Sequence, residues 1–129
     1  MSESTTKQTE SVTKRFTEGD VTVFSYLSED ANPVHLDEEY AKETRFGTRI
    51  VHGSLVASLI SSALARFDGT VIYAGQDLRF LAPVEIGETV TATATVVSEE
   101  DAYKTVSTVV TNQDGDEVIV GEATIVVDQ

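Results

Sequence analysis

Cysteine is absent from this 129-residue chain, which excludes disulfides, zinc knuckles and a thiol nucleophile. Basic residues are scarce: 9 Lys and Arg stand against 22 Asp and Glu, a formal net charge of −13. A field of that sign lacks the basic footprint that nucleic-acid binding requires. No apolar run reaches the ~18 residues of a membrane span, so no membrane partner is expected. The opening MSESTTKQTE is polar and acidic, unlike a signal or transit peptide, and points to the cytoplasm. Several catalytic signatures are missing too. No G-x-S-x-G elbow surrounds Ser58, Ser61 or Ser62, which argues against a serine hydrolase. Two histidines without a third or an HExxH helix leave no expectation of a catalytic metal. Neither GxGxxG nor a P-loop occurs, so no dinucleotide or nucleotide-phosphate site is expected.

What the chain does have is an apolar fraction of 40 % beside 24 % charged residues, the balance of one globular domain able to bury a core. The acids are spread from Glu3 to Asp128 rather than gathered in a tail. Such a charge repels itself unless counterions screen it, and molar salt shortens the Debye length to about 3 Å. An ordinary acidic protein is one reading. With only four lysines, a protein adapted to a high-salt cytoplasm is the favoured one.

Residues 1–11 are rich in Ser, Thr, Glu and Gln and are expected to form a flexible tail, with the domain over 12–129. SVTKRF (11–16) suits a first strand. Thr17 can cap a helix over EGDVTVFSYLS, with Val21, Phe24 and Leu27 on one face. Asn32 before Pro33 resists α geometry, so the helix ends there and a loop begins. Asp37 can cap a short helix, EEYAKET. From Gly53 to Arg66 an apolar helix carries Leu55, Val56, Leu59, Ile60, Ala63 and Leu64 on one side, with Ser and Ala elsewhere. After Asp68-Gly69 the period changes from 3.6 to 2. Strands are expected over 70–81, 89–98, 103–112 and 117–127, with a bulge signal at Gly75 and a hairpin turn at QDGD (113–116). One hydrophobic helix followed by a meander of regular strands predicts an α+β fold, a sheet curled round that helix.

The stretch from Tyr26 to Arg66 holds both histidines and the polar loop DANPVH. Asp30 and His35, five residues apart across a proline turn, can face one cavity and hold one water between carboxylate and imidazole. Imidazole starts near pKa 6.5 and needs little tuning. Plainer roles compete, since Asp before Asn-Pro is a common turn former and a lone His is commonly a surface or core residue. Gly53 opens the apolar helix, where free N–H groups suit a developing oxyanion and a missing Cβ admits a carbonyl. A simple helix cap or close packing explains it equally. His52 is expected to be a structural hydrogen-bonding residue, outside the catalytic set.

Taken together, SEDANPVHLDEEYA and FGTRIVHGSLVASLISSAL resemble the (R)-specific enoyl-CoA hydratases, the MaoC-like branch of the hotdog fold. The pattern is an aromatic, a small residue, Asp-x-Asn-Pro-aliphatic-His, and Ala six residues on. Here these are Phe24 or Tyr26, Ser28, Asp30, Asn32, Pro33, Val34, His35 and Ala41. YAGQDLRFLAPVEIGETVTA (73–92) fits as well, so the resemblance spans about 12–127. Glu29 departs from it, where many members carry Gly. The resemblance implies a hotdog domain, a homodimer with sheets joined edge to edge, and hydration of trans-2-enoyl-CoA to the (3R)-3-hydroxyacyl-CoA. It makes Asp30 and His35 the catalytic pair, Gly53 N–H the donor to the thioester oxygen and Ser61 a supporting hydroxyl, with Asn32 and Gln76 near the substrate. No redox or metal cofactor is implied. Lys42, Arg45, Arg49, Arg66, Arg79 and Lys104 are the candidates for the CoA phosphates. An acyl-CoA thioesterase and a non-catalytic acyl-thioester-binding module or partner subunit are the alternatives; the DANPVH motif argues against the first, and the complete set Asp30, His35 and Gly53 against the second.

Overall fold

The computed structural model of the protein describes residues 8–128. Strand β1 (Thr9–Arg15) leads into helix α1 (Glu18–Ser28), the short helices α2 (Pro33–Leu36) and α3 (Glu38–Lys42), and the main helix α4 (Gly53–Leu64). Strands β2 (Thr70–Phe80), β3 (Thr89–Glu100), β4 (Tyr103–Asn112) and β5 (Glu117–Asp128) complete one antiparallel sheet in the order β1-β3-β4-β5-β2. This is the α+β arrangement expected of the hotdog fold, with α4 against the sheet. Val56, Leu59, Ile60, Ala63 and Leu64 of α4 share one core with Val90, Ala92 and Ala94 of β3, Val106 and Val110 of β4, and Ile119, Ala123 and Ile125 of β5. Alternate strand residues supply that face, as a period of two demands.

Three local expectations need correction. The tail expected over 1–11 is in part a strand: β1 begins at Thr9, while residues 1–7 lie outside the described region. Its polarity misled because the outer face is a hydroxyl ladder. Thr9, Ser11 and Thr13 bond to Thr95, Thr93 and Thr91 at 3.3, 3.1 and 2.9 Å, cross-strand pairs that stabilise a sheet without apolar residues. Leu27 does not join the buried face of α1; it is 74 % exposed, and Val21 and Ser25 are buried instead. Each step of three residues slips back about 60° round a helix, so two steps carry Leu27 off the stripe. The loop expected from Pro33 is a helical turn, α2. Proline at N1 is pre-set for helix and has no N–H to leave unbonded, while Asn32 caps it by accepting from Val34 N–H at 3.2 Å.

Other punctuation matches the sequence. Thr17 and Asp20 form a reciprocal capping box on α1. The register between β2 and β5 shifts between Tyr73 and Gly75. Helix α4 ends at Leu64, two residues short of the expected limit.

Candidate active site

Asp30 follows the left-handed residue Glu29 that ends α1, so the chain reverses just before the carboxylate. Ser28 Oγ accepts from Asp30 N–H at 3.1 Å, and Asp30 Oδ1 accepts from Asn32 N–H at 3.3 Å, which folds the acid over its own turn. His35 lies on α2, 8 % exposed. Its Nδ1 meets the Ile50 carbonyl at 2.9 Å, and a carbonyl only accepts, so Nδ1 carries the hydrogen and Nε2 keeps a free lone pair. His52 caps α4 at 1 % exposure, stacked on His35 with ring centroids 3.8 Å apart. Its Nε2–H is shared between Asp30 O and Ser25 Oγ, each at 3.0 Å, and the edge of Phe24 packs at 4.9 Å. Burial pushes the His52 pKa below its ordinary value, and the neighbouring His35 adds to this against the pull of Asp30. His52 Nδ1 is buried with no hydrogen-bond partner.

A carboxylate oxygen of Asp30 and one ring nitrogen from each of His35 and His52 thus lie within 4.8 Å of one another. Counting histidines alone gave two ligands; the fold supplies a carboxylate as a third candidate. A divalent cation there would have to use His52 Nδ1, because the Nε2 hydrogen is committed to Asp30 O. The arrangement also suits proton transfer: a carboxylate and an imidazole whose ligand atoms lie within 4.8 Å, close enough to share one water.

Gly53, next to His52, opens α4, whose first amides have no intrahelical acceptor. A Cβ on Gly53 would come within 2.9 Å of the Phe80 ring, so glycine is what lets β2 bring that aromatic against the helix end. Beside it lies a cavity of about 300 Å³ lined by Phe46, Val56, Phe80, Pro83 and Arg45 among others. Asp30 and His35 are brought together beside His52, with Asn32 capping α2 between them; Gly53 follows His52 at the head of α4, and neither Asp30 nor His35 lines the cavity next to it. Ser61 and Gln76 are not brought to them. Ser61 is exposed on α4, ~12 Å along the axis from Gly53 at 1.5 Å per residue. Gln76 Nε2 donates to Asp77 O at 2.6 Å and Thr108 Oγ1 at 3.0 Å, and its Oε1 accepts from the Tyr73 hydroxyl. His52 forms hydrogen bonds, as anticipated, but it does so against the pair itself. Ser25, a buried serine, had no signal beyond its place one turn from Val21.

Of the candidate phosphate ligands, Lys42 pairs with Glu39 at 3.3 Å, Lys104 with Glu99 at 3.7 Å and Arg49 with Glu18 at 2.7 Å. Arg45 is exposed at the cavity.

Comparison with known proteins bears on this geometry. The model of the MaoC like domain matches residues 2–124. An (R)-specific enoyl-CoA hydratase of Rhodospirillum rubrum is 47 % identical over 124 residues, 93 % of this chain and 85 % of that protein. A 3-hydroxybutyryl-CoA dehydratase of Methylorubrum extorquens is 39 % identical over 120 residues, covering 91 % and 76 %. The solved (R)-hydratase of A. caviae, involved in PHA biosynthesis, superposes with a TM-score of 0.90 at 38 % identity, covering 98 % of this chain and all of that one (100 %). The chain belongs to the MaoC-like family of hydratases and dehydratases, hydro-lyases built on the hotdog fold.

Proposed function

We propose that the protein adds water to trans-2-enoyl-CoA to give the (3R)-3-hydroxyacyl-CoA. The observation that carries this reading is the meeting of the Asp30 carboxylate with the His35 imidazole, whose Nε2 lone pair is left free by the Nδ1 bond to Ile50 O. The thioester carbonyl would accept from Gly53 N–H, where negative charge grows as C3 is attacked. Water held between Asp30 and His35 loses a proton to the pair as its oxygen bonds to C3. The pair returns a proton to C2 from the same face, and the enolate collapses to the saturated thioester. Proton and electron counts close, so the reading calls on no cofactor.

Asn32 would act by shaping the turn, through its cap on α2 and its N–H to the Asp30 carboxylate. Ser61 and Gln76 stand away from the pair within one chain, so direct substrate contact by either would come from the far end of the acyl group. Arg45, exposed at the cavity beside Gly53, is the cation best placed for a CoA phosphate. A homodimer is part of the proposal. Strand β2 is a sheet edge and exposes Ile72, Tyr73 and Phe80, which a second copy would cover. Supply of hydroxyacyl monomers for polyhydroxyalkanoate and fatty-acid breakdown are the two metabolic settings that fit, and the cytoplasm is the setting proposed.

Asp30→Asn and His35→Gln each test the assignment. Either should lower kcat on crotonyl-CoA by at least about a hundredfold, the scale of general acid–base catalysis, with circular dichroism unchanged. Near-normal turnover in a folded variant would refute the roles given to these residues.

A further inference from the structure

Arg49 is a cation that the fold withdraws from the surface. Its side chain is 13 % exposed and its guanidinium is engaged at two points. Nε donates to the backbone carbonyl of His35 at 2.9 Å, and Nη1 donates to Glu18 Oε1 at 2.7 Å. Ile50, the next residue, holds the same turn twice more. Its N–H donates to Val34 O at 3.3 Å, and its carbonyl accepts from His35 Nδ1–H at 2.9 Å. Residues 49 and 50 therefore grip His35 by main chain and ring together, and Glu18, the first residue of α1, braces the grip.

The carbonyl that Arg49 takes belongs to the last turn of a four-residue helix. A helix this short has almost no hydrogen bonding of its own, so outside bonds decide where its imidazole points. A planar fork with fixed donors can bridge a carbonyl and a carboxylate at once; a single ammonium cannot hold both in that geometry.

We infer that Arg49 is a positioning residue for His35, holding the turn that aims Nε2 at the reacting water, and is not a ligand for CoA phosphates. The inference rests on the hydratase reading above. Its test compares Arg49→Lys and Arg49→Met on two substrates, crotonyl-CoA and crotonyl-N-acetylcysteamine, a thioester without phosphates. Misplacing a reacting group by about 1 Å costs on the order of a hundredfold, so kcat should fall by about ten- to a hundredfold in both variants. The factor should be the same on both thioesters, with KM for crotonyl-CoA little changed. Lysine should recover little of the loss although it keeps the charge. If Arg49→Met does not fold, Arg49→Lys carries the test.

A loss confined to crotonyl-CoA and expressed in KM would make Arg49 a phosphate ligand and overturn the inference. Unchanged kcat on both thioesters would overturn it as well. Should the wild type turn over neither thioester, the hydratase reading fails by itself. Solvent exchange of the His35 Nδ1 hydrogen, read by NMR, then still decides the role of Arg49. Faster exchange in Arg49→Lys supports the grip, and an unchanged rate refutes it.

Discussion

His52 is the residue whose charge the centre can least tolerate. At 1 % exposure, with its Nε2 hydrogen spent on Asp30 O and Ser25 Oγ, it has only the buried Nδ1 to receive a proton. A cation there would lie against the His35 ring without water. Desolvation accordingly holds its pKa below the ordinary 6.5. The unfolded chain protonates this imidazole near 6.5 and the folded chain only at lower pH, so in that window the unfolded state binds more protons. Stability from a neutral His52 is therefore complete above about pH 6.5 and drains away as pH falls towards the folded value. Thermal unfolding between pH 7.5 and 5 should show the midpoint falling with acid, and falling less steeply in His52→Gln, which cannot titrate. Equal slopes in the two proteins would remove His52 from the account.

At the level of elements, the end of α1 carries a backbone strain close to the site. Glu29 takes φ 62°, the left-handed region that glycine occupies most easily. The position is the junction between α1 and the Asp30 turn. Glu29→Gly should relieve about 1 kcal/mol of backbone strain, offset in part by the freedom glycine gives the unfolded chain. A rise of a few degrees in Tm, at most about 4 °C for a domain of this size, is the expected result. A lowered Tm would mean that the Glu29 side chain contributes more than its backbone costs.

The legible elements were those with local causes. The Thr17 capping box, the stripe on α4, the bulge signal at Gly75 and the 113–116 turn lie within a few residues of what makes them. In that turn Asn112 Oδ1 accepts from both Asp114 and Asp116 N–H, and Gly115 takes φ 85°. What was decided at long range was legible only in part. The strand expected at 11–16 forms, but it begins at Thr9, inside the expected tail, where β1 pairs with β3 and its hydroxyls find Thr91, Thr93 and Thr95 some eighty residues on. Within the site, the DANPVH loop announced Asp30 and His35. The stack on His52, the clamp by Arg49 and the placing of Gln76 on Thr108 follow only from how α2, α4 and the sheet pack.

Over the whole molecule, the charge of −13 is the dominant electrostatic fact. Pairs such as Lys14–Asp20 at 3.2 Å and Arg49–Glu18 at 2.7 Å neutralise few of the acids, and mutual repulsion among the rest opposes the compact state. Molar KCl, by screening beyond about 3 Å, should raise Tm relative to dilute buffer. An identical Tm in both would reduce the composition to ordinary acidity.

Water addition at Asp30 and His35 can be read directly from the ultraviolet absorbance of crotonyl-CoA mixed with purified protein in molar KCl. The enoyl absorbance should disappear with no free thiol released and a 3-hydroxybutyryl-CoA product of (R) configuration, and Asp30→Asn should abolish the change. A flat trace from the folded wild type, or release of free CoA thiol in place of hydration, would contradict water addition at this pair.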